Sequence, residues 1–280
     1  MERIATIGFF DGVHKGHRYL FKQLDRLAAE RGLEPFIVTF EEHPRVVLQS
    51  DYVPQLLTTT EERRGLLSAF GEVLMLPFAA IHAMTAAEFM SELHTRYGVT
   101  VLLMGYDHRF GSDRLRHPQD YRRIGKQYGI EVLTMSEFTD GEWHVSSTEI
   151  RTALLCGNIA VANDLLGRPY SLKGTVVHGK GLGRTIGFPT ANIQPVDAHS
   201  VIPKAGVYAV EVRANAFGWT PAMLNIDRNG IIEAHIPSFQ GNLYDQTLDV
   251  RFMQFIREEK ELDNLDALRK QIAEDMKAVL

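Results

Sequence analysis

Two histidines separated by two residues are the first side chains of this sequence that are suited to chemistry. His14 and His17 follow an apolar run at residues 4–7, and apolar residues then recur at helical spacing up to Gly32. The pattern predicts a strand, a glycine-rich turn and a helix that starts at the histidines. A helix start has free amide donors and the positive end of the helix dipole, and imidazole N–H groups add further donors. The spacing therefore predicts a site for an anion such as a triphosphate.

A zinc site and a purely structural role are both less favoured for the histidine pair. Zinc needs further ligands, but the chain contains one cysteine, Cys156, and no second histidine cluster near the pair. A structural role is disfavoured because a loop at a helix start is expected to be exposed, where packing explains neither residue. The anion site is the preferred interpretation.

The composition is that of an ordinary globular protein. The chain has 280 residues, of which 45% are hydrophobic and 23% charged, so it is long enough for one large or two ordinary domains. Its formal charge of −5 gives no basic surface, and we expect no nucleic-acid partner. A single cysteine excludes an internal disulfide, and no apolar run reaches membrane-spanning length. Because the first residues also lack a signal-peptide pattern, we expect a cytoplasmic protein without a membrane partner, either a monomer or a weak homo-oligomer.

Short apolar runs alternate with helical segments through the first part of the chain. This alternation predicts a parallel sheet covered on both faces, and ligands bind at the carboxyl edge of such a sheet. Residues 8–17, 43–45 and 105–111 each follow one of the runs, so we expect these three segments to converge on one crevice. The predicted strands are residues 4–7, 36–40, 73–76, 99–104 and 130–133.

The pattern changes after residues 167–169, where Gly-Arg-Pro ends a helical segment. Short strands separated by Gly, Asn and Asp turns follow, and they predict a small antiparallel barrel. Apolar residues at helical spacing over 264–280 predict a terminal helix that packs across it. The predicted fold class is α/β followed by β, with domains at residues 1–168 and 169–280. The predicted barrel strands are residues 174–177, 207–213, 221–226, 231–236 and 247–255.

A second polar motif precedes the helical segment that ends at the domain boundary. Ser146 is a good N-cap, and Glu149, three residues later, completes a capping box. The same arrangement orients backbone amides and the hydroxyls of Ser147 and Thr148 toward a phosphate, which Arg151 could bind with two hydrogen bonds. Capping is the simpler interpretation, and phosphate binding is compatible with it.

Three motifs, in order along the chain, carry a resemblance to a known family. Residues 8–17 resemble the HxGH signature of the nucleotidyltransferase superfamily. Together with residues 145–151 and the sequence GFPTAN at residues 187–192, they resemble the bifunctional riboflavin kinase/FMN adenylyltransferases, the bacterial FAD synthetases. The resemblance implies a Rossmann-like first domain that joins FMN to the α-phosphate of ATP and releases pyrophosphate. It implies a riboflavin kinase-like barrel that phosphorylates riboflavin with ATP, and a requirement for Mg²⁺ in both reactions.

The resemblance also implies roles for residues of the first domain. His14 and His17 are implied as the catalytic pair, which neutralises charge on the phosphates because the nucleophile is already a phosphate of FMN. The sequence departs from the family at His108, where an aromatic residue is usual, and at residues 117–118, where a glycine turn is common. Arg45 follows a proline in a loop, so a solvated side chain is an equal alternative to flavin binding. The implied nucleotide-binding residues are Gly8, Phe9, Asp11, Gly12, Asp107, Ser146, Ser147, Thr148 and Arg151, and the implied flavin-binding residues are Pro44, Arg45, Arg109 and Phe110.

In the second domain the resemblance implies a kinase site. Thr190 and Asn192 are implied to hold the nucleotide and Mg²⁺, and an oxygen from each suits a hard cation. Glu233 is implied as the base for the ribityl hydroxyl, with a solvated, outward-facing strand residue as the alternative. Arg257 is implied on the flavin side, with an exposed ion pair as the alternative. The glycines suit a phosphate loop or a plain hairpin turn. The implied nucleotide-binding residues are Gly179, Lys180, Gly181, Gly183, Pro189, Thr190 and Asn192.

One loop is shorter than the family pattern. The family usually has a Gly-Thr-Arg-Pro-Thr loop after the strand that ends at Ile226, whereas residues 227–230 lead directly into the next strand here. A missing lid would leave the kinase site open to water and slow. Three alternatives therefore stay open: an FAD synthetase with an inactive flavin-binding kinase module, a non-catalytic flavin sensor, and an adenylyltransferase that acts on a different phosphorylated acceptor.

Overall fold

The chain divides into two compact units. The computed structural model describes residues 2–106, 108–136, 138–140, 143–179, 183, 187–260 and 264–279. Unit 1 comprises Met1–Pro54 and Thr59–Ser146, and unit 2 comprises Gln55–Thr58 and Ser147–Leu280.

A parallel sheet forms the centre of unit 1. Its strands are β1 (Arg3–Ile7), β2 (Glu34–Phe40), β3 (Glu72–Leu76), β4 (Val99–Met104) and β5 (Glu131–Thr134). The strand order is β3-β2-β1-β4-β5, and every neighbouring pair is parallel. The central strand β1 therefore ends at the middle of the carboxyl edge, where residues 8–17 begin. A small antiparallel hairpin of β6 (Thr139–Asp140) and β7 (Trp143–His144) follows later in the chain.

Helices cover both faces of this sheet. They are α1 (Lys15–Arg31), α2 (Pro44–Leu48), α3 (Thr60–Leu67), α4 (Phe78–Ile81), α5 (Ala86–Tyr97) and α6 (Pro118–Gln127). Successive strand residues point to opposite faces, so Ile7 packs in a buried cluster with α5 and α6, whereas Ile4 packs in a second cluster with α1 and α3. Burial on both faces explains why the strands are nearly continuous apolar runs.

The helix ends follow local sequence signals. α1 ends at Gly32, as predicted, because this residue adopts a left-handed conformation (φ 65°) and its N–H bonds to the carbonyl of Ala28. α3 begins with a complete capping box between Thr59 and Glu62. The box at Ser146 stays a prediction, although the following helix begins at the next residue.

A closed antiparallel barrel forms the centre of unit 2. Its strands are β8 (Tyr170–Val177), β9 (Thr190–Pro195), β10 (Gly206–Ala214), β11 (Phe217–Ile226), β12 (Ile232–His235) and β13 (Thr247–Arg257). Around the barrel the order is β10-β11-β12-β9-β8-β13. The predicted fold class, α/β followed by an antiparallel barrel with a terminal helix, is confirmed. β9 was not among the predicted strands, because only one of its six residues, Ile193, is buried and no regular alternation marks it.

The described residues of unit 2 include the helices α7 (Ser147–Leu155), α8 (Ile159–Leu166) and α9 (Leu265–Asp275). A short 3-10 turn, Met276–Ala278, follows α9. Met276 packs with Val207 and Met223 of the barrel, and Ile272 of α9 packs against the same cluster. The terminal helix therefore packs on the barrel as predicted.

The compact units divide earlier than the predicted boundary between residues 168 and 169. The main segment of unit 2 begins at Ser147 and includes α7 and α8. Asn163 explains this placement of α8, because its amide donates to the carbonyl of Phe252 at 2.8 Å and its oxygen accepts the N–H of Tyr170 at 2.7 Å. The Gly-Arg-Pro segment marks the end of a helix that is already attached to the barrel.

Candidate active sites

A left-handed turn leads from β1 to the two histidines. Phe10 (φ 55°), Gly12 (φ 78°) and Val13 (φ 43°) all lie in the left-handed region. The N–H of Val13 bonds to the carbonyl of Phe10 at 3.1 Å and closes the turn. This conformation is unfavourable for Phe10 and above all for the β-branched Val13, so the surroundings must impose it. Strained backbone of this kind clusters at functional sites.

The turn brings the two imidazoles together at the start of α1. His14 is the N-cap, and its Nδ1 accepts the backbone N–H of His17 at 3.4 Å. The two rings stack with centroids 3.6 Å apart, and the ring of Phe10 meets His17 edge-on. A Cβ at Gly16 would lie 3.2 Å from the ring of His14, which explains why the motif has glycine there. The predicted pairing of the histidines at a helix start is confirmed in its geometry.

Burial controls the charge of His17. Its ring is partly exposed, but Nδ1 is buried and has no hydrogen-bond partner among the described residues. The pKa of His17 lies well below its usual value. Burial is the larger cause, and positive charge on His14 is the smaller one. His17 is therefore neutral at pH 7.

The loops after β1 and β2 meet, as the sequence predicted. The ring of Phe9 contacts that of His43 edge-on at 4.7 Å, and Nδ1 of His43 accepts the N–H of Arg45 at the start of α2. Pro44 is the first residue of that helix, and the guanidinium of Arg45 lies 5.6 Å from the ring centroid of Tyr52. Flavin binding by Pro44 and Arg45 stays a prediction.

The segment after β4 contributes Phe110 to the same apolar cluster as Phe9. The hydroxyl of Tyr121 accepts the N–H of Phe110 at 3.1 Å, and the Phe110 ring packs against Phe89. Arg109 is exposed and bonds to the carbonyl of the preceding residue. Asp107, Lys180 and Gly181 lie outside the described residues.

In unit 2, residues 147–151 are the first five residues of α7. The Nε–H of Arg151 donates to the carbonyl of Gln55 at 2.6 Å, which holds the guanidinium in one direction. Thr148 is exposed on the first turn, where a phosphate could reach its hydroxyl. Phosphate binding by Ser146, Ser147, Thr148 and Arg151 stays a prediction.

The barrel register brings the predicted kinase residues together. Glu233 of β12 pairs with Asn192 of β9 on one side and with Asn225 of β11 on the other. Paired residues of neighbouring strands point to the same face. A cavity of about 190 Å³ lies over this face. Its lining includes Gly183, Thr190, Asn225, Glu233, His235, Arg257 and Asp275.

A second cavity, of about 510 Å³, also includes Thr190 in its lining. Pro189 and Ala191 lie beside it, and residues 239–244 form much of the wall. At the end of that segment, the ring of Tyr244 stacks on His178 with centroids 3.9 Å apart. The sequence pattern did not single out residues 239–244, although a polar, glycine-containing loop after the strand that carries Glu233 was a usable signal.

Two glycines are required by close approach to β9. A Cβ at Gly179 would overlap the carboxamide of Asn192, and one at Gly183 would overlap the carbonyl of Phe188. A side chain at either position would thus meet neighbouring atoms, which is a more specific reason for glycine than a hairpin turn. Nδ1 of His235 hydrogen-bonds to the carbonyl of Pro189 at 2.8 Å and holds the same segment.

Arg257 lines the smaller cavity, but its side chain donates to Asp275 of α9 and, through Nη1, to the carbonyl of Glu258. It forms a two-pronged ion pair with Asp275, with distances of 2.9 and 2.7 Å, and the amide of Gln271 also donates to Asp275. The side chains of Arg257 and Asp275 are 16% and 3% exposed. The ion pair expected as an alternative is present but buried, and contact with a flavin stays a prediction.

These features define a class of two-part enzyme in which an α/β unit and a barrel each handle a nucleotide. Residues 1–149 match the FAD synthetase family, and residues 166–280 match the riboflavin kinase family. The bifunctional riboflavin kinase/FMN adenylyltransferase of Escherichia coli K12 is 38% identical over 97% of this chain and 90% of the relative, and that of Pseudomonas fluorescens is 36% identical over 98% and 91%. The chain belongs to this bifunctional family.

A solved structure shares the fold over nearly the whole chain. It is a Streptococcus pneumoniae protein described as a macrolide-efflux protein, with a TM-score of 0.88, 32% identity, and coverage of 99% of this chain and 93% of that one. Among the described residues of the present chain, no helix has both the length and the apolar character needed to cross a membrane.

The titration of His17 tests the geometry of the histidine pair. An ordinary histidine has a pKa of about 6.5, and burial beside His14 lowers that of His17. In ATP-free protein, the Cε1–H NMR signal of His17 should therefore stay at its neutral position from about pH 7.5 to pH 6. Added ATP should raise the pKa of His17, because the phosphates stabilise the imidazolium. A His17→Asn variant assigns the signal. A midpoint near pH 6.5 without ATP would contradict the prediction.

The Arg257–Asp275 pair makes a second prediction, for α9. Asp275→Asn leaves a largely buried guanidinium without its counter-ion, which costs about 3 kcal/mol for a pair of this kind. Amide exchange in α9 should accelerate by about a hundredfold in this variant. Asp266→Asn is the matched control, because Asp266 lies in the same helix with a side chain 85% exposed. Equal exchange in the two variants would show that the pair does not hold the helix.

Proposed function

We propose that unit 2 converts riboflavin to FMN and that unit 1 converts FMN to FAD, with ATP as the co-substrate of both reactions. Family membership supports the pair of activities. The observation that carries the proposal is the barrel register, because it places Glu233 beside Asn192 on a cavity that shares Thr190 with a second cavity. Two adjoining cavities suit a phosphoryl transfer between two substrates.

In unit 1, a phosphate oxygen of FMN attacks the α-phosphorus of ATP, and the bond from that phosphorus to the bridging oxygen breaks as pyrophosphate leaves. Because the nucleophile is already an anion, the enzyme has to align the groups and neutralise their charge. Nδ1 of His14 accepts the backbone N–H of His17, which fixes the direction of an imidazole proposed to stabilise the phosphates. The lowered pKa keeps His17 neutral in the empty site, and it gains positive charge as the phosphates approach.

The remaining nucleotide-binding residues position the triphosphate. Gly8, Phe9, Asp11 and Gly12 belong to the turn before the histidines.

In unit 2, Glu233 accepts the proton of the ribityl hydroxyl while that oxygen bonds to the γ-phosphorus of ATP and ADP leaves. Thr190 and Asn192 lie two residues apart in β9, so both point to one face and offer a hydroxyl and an amide oxygen. These oxygens fit a hard cation, and bound Mg²⁺ would neutralise phosphate charge there. The larger cavity suits the nucleotide, and the cavity with Glu233 suits the flavin.

A specific observation favours a second candidate, an FAD synthetase with a weak kinase. Residues 227–230 form a tight turn in which Oδ1 of Asp227 accepts the N–H groups of Asn229 and Ile231 at 2.8 and 2.7 Å. The turn joins β11 to β12 without a loop long enough to cover the adjoining cavity. Water would then reach the γ-phosphate more readily than in a covered site.

A substrate assay tests the proposal. Purified protein is incubated with Mg²⁺-ATP and either riboflavin or FMN, and the flavins are separated chromatographically. We expect FMN and FAD from riboflavin. His17→Ala should lower FAD formation from FMN by about a hundredfold or more, the loss of one transition-state donor, and leave FMN formation unchanged. Glu233→Gln should lower FMN formation by about a hundredfold and leave FAD formation from FMN unchanged.

The two variants are each other's controls, because each removes a residue of a different unit. FAD from FMN alone would support the second candidate, and no product from either flavin would favour a binding protein. A variant that lost both activities would indicate misfolding instead of a lost catalytic group.

A further inference from the structure

Arg63 is a buried cation that no step of the proposed chemistry uses. Its side chain lies in the first half of α3 and has no exposed surface. The surrounding sequence, Glu61-Glu62-Arg63-Arg64, is typical of a solvated helix face. Arginine is almost never fully buried unless its charge is paired. The groups around the guanidinium therefore indicate what it does.

Those groups lie at the carboxyl edge of the sheet. Nη2 of Arg63 donates to the carbonyls of Phe40 and Glu41 at 2.6 and 3.4 Å, where β2 ends. The guanidinium carbon lies 4.0 Å from the centroid of the Phe9 ring, which is a cation–π contact. Nε and Nη1 are buried without a hydrogen-bond partner among the described residues. The side chain thus links the end of β2 to the segment after β1.

Asp11 supplies a neighbouring negative charge. Its side chain is only 3% exposed. Burial lowers the pKa of Arg63 to about 10, and the charge of Asp11 opposes that effect. The guanidinium is therefore still a cation at pH 7, in contact with the ring of Phe9 and attracted by the charge of Asp11 in the same turn.

That turn needs support from outside itself. The left-handed conformation costs about 1 kcal/mol or more for each non-glycine residue, and both Phe10 and Val13 adopt it. Phe9 and Asp11 flank Phe10 in sequence. A group that contacts Phe9 and attracts Asp11 is therefore placed to hold the backbone between them.

We propose that Arg63 is a positioning residue for adenylyl transfer, whose guanidinium ties Phe9 and Asp11 to the end of β2 and so holds the turn that presents the two histidines. The inference rests on the proposed adenylyl transfer by unit 1. Because Arg63 has no exposed surface, it acts through the turn. Its loss should misalign the histidines in the transition state, so kcat should fall much more than KM rises.

Arg63→Met tests the role, because methionine keeps much of the length and removes the charge. We expect kcat for FAD formation from FMN to fall by about a hundredfold, with KM for FMN and ATP within about threefold of wild type. Arg63→Lys restores the cation and should recover about tenfold of the loss. Arg64→Met is the matched control, because Arg64 is the next residue of α3 and is exposed. It should behave as wild type, and riboflavin phosphorylation should be unchanged in all three variants.

Several results would overturn the role. The first is a kcat for Arg63→Met equal to that of Arg64→Met. The second is an Arg63→Met variant in which KM rises and kcat is unchanged. The third is an Arg63→Lys variant that folds but has a kcat no higher than that of Arg63→Met. If Arg63→Met does not fold, Arg63→Lys and Phe9→Leu carry the test. Their double variant should be no worse than the more impaired single variant, because both changes break the same contact. Additive losses would count against the proposal.

Amide exchange at residues 8–13 separates this inference from the proposed function. Exchange there should be faster in Arg63→Met than in Arg64→Met, whatever reaction the enzyme catalyses. Wild-type protein that forms no FAD would refute the adenylyl transfer, and the exchange result would still decide whether Arg63 holds the turn. Equal exchange in an active enzyme would refute the inference alone.

Discussion

The left-handed turn between β1 and α1 is the constraint on which the chemistry of unit 1 depends. A strand that ends at the middle of a parallel sheet delivers the chain to the carboxyl edge, but an ordinary turn would not stack two imidazoles over a helix start. The backbone at Phe10 and Val13 does so at a conformational cost. The surrounding sheet edge imposes the conformation: the hydroxyl of Thr39 donates to the carbonyl of Phe9 at 3.2 Å, and the N–H of Gly8 bonds to the carbonyl of Val38.

Barrel closure plays the corresponding part in unit 2. A closed barrel leaves no freedom of register, so a slip of one residue in β12 would turn Glu233 away from Asn192 and replace it with an apolar neighbour. Gly179 and Gly183 themselves lie too close to Asn192 and to the carbonyl of Phe188 for a side chain. The site is thus determined by long-range pairing, whereas the histidine pair of unit 1 is local in sequence.

This difference explains what could be predicted from the sequence. Continuous apolar runs predict the parallel sheet because burial on both faces leaves a strong signal, and the HxGH spacing predicts a helix start because capping is local. β9 carries little burial and escaped prediction. Arg63 and Asp275 also escaped, since each lies in a charged segment typical of solvated helices and is buried only by tertiary packing. A pattern along the chain cannot reveal such a partner when it lies far away in sequence, as Asp275 does from Arg257.

The two buried arginines differ in a way that fits the proposed substrates. Arg257 is bound by a carboxylate in a two-pronged pair, so it adds little net charge to the cavity it lines. Riboflavin is uncharged, and a cavity of balanced charge avoids desolvating a lone cation for it. Arg63 has no such two-pronged pair: the charge of Asp11 opposes the effect of burial on its pKa, and two of its donors are unpartnered among the described residues. Its guanidinium contacts a turn proposed to hold ATP, which is an anion, so the same residue type serves different electrostatic needs in the two units.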